Sequence, residues 1–318
     1  MAINRVVRAA LKALSYPDID LKKNYRIKRK LQEAISYPVR KLRYEAWDYE
    51  VLSGDHRVPV RIFHPAEGTP LGPLLLFFHG GGWVSGTIDS YNDVCASMAL
   101  LTGRRVVSVD YSLAPEHPFP AGLLDCYAVA KTLFLHPGLL GAEPEDICLI
   151  GDSAGGNLAA LYAHRDRDRS LGMVNSQVLY YPALSVRETD GLKDYHFGLE
   201  DYIYDDAQSE WIVPRILAIW NAGKRSEDNY LPEGVNSRMA SVSPLWDSDF
   251  SGLPRTLLIT AQYDYLTSQA KTYAHYLAAA HVPVTWVNYC GVGHAFVDKC
   301  GVYPQADDSL KMAAEFVR

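Results

Sequence analysis

The five residues Gly151-Asp152-Ser153-Ala154-Gly155 constrain this chain more than any others, because of what flanks them. An apolar run, Ile147–Ile150, stops at Gly151, and a helical pattern starts at Ala154 and continues to about His164. A strand that passes almost directly into a helix must bend sharply, and only small neighbours leave room for the bend. Such a turn lifts the Ser153 hydroxyl clear of the strand and places it at a helix N-terminus, where free N–H groups favour negative charge. The serine therefore reads as a nucleophile, with an ordinary turn serine as the bland alternative.

The surrounding pattern agrees. Leu74–Phe78, Arg105–Val109, Ile147–Ile150 and Gln177–Tyr180 are short, mostly apolar runs of the kind that suit strands covered on both faces. Helical stretches at about Tyr91–Leu101, Ala121–Leu135 and Ala154–His164 separate them. The rhythm resumes with Thr256–Thr260, a helix near Ser268–Ala280, Val284–Asn288, and a last helix near Asp307–Phe316. Upstream, Trp47–Leu52 and Val58–Phe63 alternate like an antiparallel hairpin turning at Ser53-Gly54-Asp55-His56. This order predicts an α/β fold with a mostly parallel central sheet and helices on both faces. The 318 residues fit one such domain.

Between about residues 185 and 250 the rhythm stops, and the composition turns rich in Tyr, Trp and acidic residues. An insertion there falls at the carboxyl ends of the strands, where open α/β sheets bind ligands. It is expected to form a helical cap completed by residues 1–42, over a catalytic core of 43–184 and 251–318. A scaffold insertion without substrate contact is the alternative.

Charge is uneven. Residues 1–43 hold twelve Lys/Arg against three Asp/Glu, while the whole chain has a net charge of -6. Ile3, Val6, Val7, Ala10, Leu11 and Leu14 form an apolar stripe at helical spacing. A basic helix packed on an acidic body explains both features, with contact to a membrane surface as the second reading. No nucleic-acid motif, no apolar run long enough to span a bilayer and no clear secretory leader is visible, so a cytoplasmic location is expected. The five cysteines (Cys95, Cys126, Cys148, Cys290, Cys300) are odd in number and scattered, which suits reduced thiols. Cys290 and Cys300 bracket His294 and leave a bridge open, but their spacing fits no zinc pattern.

A second glycine-rich segment, His79-Gly80-Gly81-Gly82-Trp83, follows the run Leu74–Phe78. Consecutive glycines there let backbone N–H groups approach a ligand, and in acyl transfer such donors hold an oxyanion. Gly81, Gly82 and Ala154 are the expected donors; no G-K-[ST] follows to support a phosphate loop. A serine needs a base, and the base an orienting acid. His294, in Gly291-Val292-Gly293-His294-Ala295-Phe296, reads as a flexible loop able to reach back over the sheet, whereas His79 reads as structural. Asp264 lies beyond Thr256–Thr260 and between serine and histidine in the chain; Asp298 is the rival. Trp83, Asp152, Tyr195, Phe197 and Tyr202, with His196 and Tyr204 nearby, are expected around the substrate, plain packing being the alternative.

Taken together these residues closely resemble the hormone-sensitive lipase family of α/β-hydrolases. The resemblance runs from about Leu74 to Phe296 through His79–Trp83, Asp110-Tyr111-Ser112-Leu113-Ala114-Pro115-Glu116, Phe119-Pro120-Ala121, Gly151–Asn157 and Gly293–Phe296. Ser112 stands where the family usually has arginine, and Ser268 roughly where it has an acid. The resemblance implies an N-terminal cap, no cofactor, and activity mostly on short-chain esters. With the expected triad and aromatic pocket the chain reads as a serine carboxylesterase acting on short-chain acyl esters of alkyl, aryl or acetylated-sugar alcohols. An amidase with the same triad, or a non-catalytic ligand binder on the same scaffold, remains open. The expected partner is a small-molecule ester, with neither nucleic acid nor integral membrane contact; a homodimer is left open.

Overall fold

The computed structural model describes residues 25, 26, 29, 42, 44–64, 74–136, 147–187, 189–202 and 206–318. The apolar stripe between residues 3 and 14, and Tyr204, lie outside these. Eight strands form one sheet in the order β1-β2-β4-β3-β5-β6-β7-β8. The hairpin β1 (Glu45–Ser53) and β2 (His56–His64) pairs antiparallel, and β2 joins β4 (Val106–Val109) antiparallel. From there β3 (Leu74–Phe78), β5 (Ile147–Asp152), β6 (Val174–Tyr180), β7 (Arg255–Tyr263) and β8 (Val284–Gly293) run parallel, β4 and β5 flanking β3.

The continuous apolar runs have a simple cause. All five residues of β3 are buried. Successive side chains point to opposite faces: Leu74, Leu76 and Phe78 enter one core and Leu75 and Phe77 the other. Helices α2 (Ala121–Leu135), α3 (Ala154–Asp168) and α5 (Leu266–Ala279) cover the first face; α1 (Asn92–Thr102) and α6 (Pro304–Val317) cover the second. Edge strand β8, by contrast, is partly exposed along most of its length.

The region from 185 to 250 holds the 25-residue helix α4 (Asp206–Tyr230), with Pro214 inside it. Its C-terminal turns lie over the glycine loop: Tyr230 stacks on Trp83 with ring centroids 4.5 Å apart. Among the described residues before β1, Arg29 is anchored by four hydrogen bonds. Its guanidinium donates to the Val84 carbonyl at 2.7 Å, to the Ala114 carbonyl at 2.9 Å, and to both Glu116 oxygens at 3.0 and 2.9 Å. Among the described residues, no helix is long and apolar enough to cross a membrane.

Candidate active site

Ser153 stands between β5 and α3 with φ 54° and ψ -115°, a conformation that L-residues rarely adopt. The surroundings hold it there. Its N–H donates to the Tyr180 carbonyl at 2.9 Å, and its own carbonyl accepts from Asn157 N and Ala183 N, both at 3.1 Å. A Cβ on Gly155 would stand 2.6 Å from the His79 carbonyl oxygen and overlap the Phe78 carbonyl, so glycine is the residue that fits.

Three side chains from three strand ends meet at this bend. Ser153 Oγ lies 2.9 Å from His294 Nε2. His294 Nδ1 lies 2.7 Å from Asp264 Oδ2. Asp264 is fully buried, and its other oxygen accepts the Leu266 N–H at 3.0 Å, which fixes the carboxylate at the start of α5. With Nδ1 donating to this acid, Nε2 is left as the acceptor for the serine proton. Burial pulls the His294 imidazolium down, but the charge and hydrogen bond of Asp264, with Asp152 and Asp298 beyond, outweigh it and raise the pKa above the ordinary histidine value. Asp298, the rival acid, pairs with Lys299 at 3.1 Å instead. The segment Gly291–Gly293 is not the loop its glycines suggest. It is the end of β8, where Tyr263 pairs with Gly293, so His294 is delivered by a strand.

The geometry of the glycine loop follows from its carbonyls. In a trans peptide the C=O and the next N–H point in opposite directions. The Gly80 carbonyl accepts His79 Nδ1 at 2.8 Å, and the Gly81 carbonyl accepts Val84 N, Ser85 N and Ser85 Oγ. The Gly81 and Gly82 N–H groups therefore point away from these anchors. The same reasoning applies to Ala154 N–H, because the Ser153 carbonyl is held from the other side. Gly81 has φ +124°, open in practice only to glycine. His79 is fully buried between Tyr91 and Tyr111, and burial lowers its pKa to about 4, so it is neutral and structural.

The residues expected around the substrate divide. Tyr195 and Phe197 line a cavity beside α4. Asp152 does not face open space. It is 1% exposed, and its oxygens accept Gly80 N–H at 2.7 Å and Tyr91 OH at 2.9 Å. Burial, with the Asp298 charge, outweighs these hydrogen bonds and pushes its pKa up to about 7. Trp83 is likewise corrected: 3% exposed under Tyr230, it packs rather than offers a wall. Tyr202 is a strut whose hydroxyl donates to the Asp264 carbonyl at 3.2 Å. His196 is exposed beside Glu200 and Asp201. Sequence reasoning missed Tyr181, whose ring lies edge-on to His294 at 4.9 Å. Nothing local marks it beyond its place after β6. All five cysteines are free thiols, with Cys290 exposed and Cys300 buried.

Known proteins share this fold. Residues 75–298 match the family described as alpha/beta hydrolase fold, and the chain belongs to it. The hormone-sensitive-lipase-like resemblance read from the motifs holds at this level, and the chain is a carboxylic ester hydrolase. It is 34% identical over 256 residues to carboxylesterase NlhH of Mycobacterium tuberculosis, covering 79% of this chain and 75% of the relative. It is 31% identical over 254 residues to an arylesterase of Saccharolobus solfataricus, covering 80% and 77%. An esterase structure from Pyrobaculum calidifontis superposes with a TM-score of 0.82 at 31% identity, covering 99% of this chain and 98% of that one.

Proposed function

We propose that this carboxylesterase cleaves short-chain acyl esters through an acyl-enzyme on Ser153, with His294 as the base and Asp264 as its orienting acid. The observation that carries the reading is the unbroken relay of Ser153 Oγ to His294 Nε2 at 2.9 Å and His294 Nδ1 to Asp264 Oδ2 at 2.7 Å. Ser153 gives its proton to Nε2 as Oγ attacks the ester carbonyl. The carbonyl oxygen gains the negative charge, and the N–H groups of Gly81, Gly82 and Ala154 stabilise it. The imidazolium then protonates the departing alcohol, leaving the acyl group on Oγ. Water, deprotonated by His294, attacks that acyl carbon, and the acid leaves as Oγ recovers its proton. Asp264 keeps Nδ1 protonated and offsets the imidazolium charge throughout.

On the same reading, residues 185–250 form a cap together with residues 1–42. Tyr230 on Trp83 and Arg29 on Glu116 are the contacts that support it. The alcohol portion of the ester (alkyl, aryl or acetylated sugar) meets this cap. Relatives include an ethyl acetate hydrolase of Pseudomonas putida, 30% identical over 264 residues, which supports a short acyl chain.

A fluorophosphonate probe followed by peptide mass spectrometry tests the proposal. The adduct is expected on Ser153; an adduct on another residue, or none on a folded protein, contradicts it. Comparing an acyl ester with its matching anilide separates esterase from amidase action.

A further inference from the structure

A cavity of about 380 Å³ lies between the segment after β6, helix α4 and the start of α5. That is the size of a small-molecule site. Two of its wall residues are chain neighbours of residues at the candidate active site. Tyr265, in its wall, directly follows Asp264 in the chain. Glu227, also in its wall, follows Ser226, whose Oγ lies 2.7 Å from where a Cβ on Gly82 would stand.

The lining is chemically mixed in an informative way. Tyr195, Phe197, Trp220 and Tyr265 supply aromatic surface, and Lys224 and Glu227 supply charge. Glu227 is 3% exposed, yet its Oε2 accepts no hydrogen bond. The Lys224 ammonium stands 3.4 Å away and donates instead to the Arg187 carbonyl. A buried carboxylate oxygen without a donor is costly and uncommon in folded proteins. The Glu227 carboxylate takes the Arg187 backbone N–H and the Lys224 charge, yet it bears on none of the acyl-transfer steps above, and Oε2 keeps room to accept a further hydrogen bond.

We propose that this cavity is a subsite for a hydroxyl-bearing ring in the alcohol half of the ester, an acylated sugar rather than a plain alkyl alcohol, with Glu227 Oε2 accepting a substrate hydroxyl. The inference rests on the ester-hydrolase reading and narrows it. Charge decides between ligand classes. A cationic group entering beside Glu227 meets the Lys224 ammonium, and an anionic group meets Glu227 and Asp190. A neutral polyol avoids both, donating to Glu227 while accepting from Lys224. The apolar C–H face of a sugar ring suits the aromatic walls. Burial raises the Glu227 pKa despite the opposing Lys224 charge and the Arg187 N–H, so the carboxylate gains from a further donor.

The test compares two esters of similar ring size, a mono-acetylated methyl glucoside and cyclohexyl acetate, with the parent enzyme and Glu227→Met. The ratio of kcat/KM for the glucoside ester over the cyclohexyl ester is expected to fall about ten-fold or more in the variant, through KM, because a hydrogen bond to a charged acceptor is lost. An unchanged ratio with cyclohexyl acetate still turned over overturns the subsite alone and leaves the Ser153 chemistry standing. No turnover of either ester by the parent overturns both. If Glu227→Met does not fold, the parent itself decides. Unacetylated methyl glucoside is expected to inhibit cyclohexyl acetate hydrolysis more strongly than cyclohexanol, and the reverse order contradicts the proposal.

Discussion

The carboxylate of Asp152 accepts the amide hydrogen of Gly80 at 2.7 Å, tying the residue before Ser153 to the glycine loop proposed to carry the oxyanion donors. Its second oxygen takes the Tyr91 hydroxyl at 2.9 Å, so one buried group fixes elbow, loop and the start of α1 together.

Cutting this tie should disturb the Gly81 and Gly82 donors without touching the relay. Asp152→Ala leaves the buried Gly80 N–H unpaired, at a cost of about 1–3 kcal/mol, and kcat is expected to fall about 10- to 100-fold with KM little changed. Asp152→Asn keeps one acceptor and one donor and should lose about ten-fold or less. Steady-state kinetics on p-nitrophenyl acetate reads the difference; equal losses in both variants argue against a hydrogen-bonding role.

The pH profile has a definite sign. In the proposed relay His294 serves as a base only when neutral, and Asp264 raises its pKa. The acid limb of kcat/KM should therefore lie above the ordinary histidine value of about 6.5, with activity lost as pH falls through it. Asp264→Asn removes the raising charge. The residual activity should drop by about 10⁴-fold in kcat, and its acid limb should move to lower pH. A limb that stays in place in the variant contradicts the pairing.

Gly155 has no room for a side chain. A Cβ there meets the carbonyls of Phe78 and His79, both backbone and unable to yield. Gly155→Ala is expected to destabilise the fold by about 1–3 kcal/mol and to cut activity as well, since the elbow must shift. Urea unfolding measures the first effect and esterase assays the second.

Tyr230 offers a contrasting pair. Its ring packs on Trp83 and lies near Phe119, but among the described residues its buried hydroxyl has no hydrogen-bond partner. Tyr230→Phe should leave stability unchanged or raise it slightly, whereas Tyr230→Ala opens a cavity and should cost about 3–5 kcal/mol. Equal destabilisation in both variants would mean that the hydroxyl, not the ring, matters.

Much of the architecture was legible from residue order because the parallel strands are covered on both faces. Leu74–Phe78 had no polar residue to blur its limits, and the strand occupies those five residues. Helix α4 could not be delimited within the expected helical cap for the opposite reason. Pro214 and Gly223 interrupt it, and its polar residues hide the helical period. The end of β8 was misread as loop because Gly291 and Gly293 look like turn residues, whereas pairing with β7 holds Gly293 in the sheet. At the site, Ser153, Asp264 and His294 could be named because each follows a recognisable strand. What Asp152 and Trp83 face could not, because both are decided by α1 and α4, elements remote in sequence.

The central claim is that one hydroxyl carries the acyl group, and replacing it tests that most directly. Ser153→Ala, shown to be folded by circular dichroism, should lose kcat on p-nitrophenyl acetate by about 10⁵-fold or more, the scale on which triad nucleophiles fail. Turnover by that variant at the parent rate would place the chemistry elsewhere.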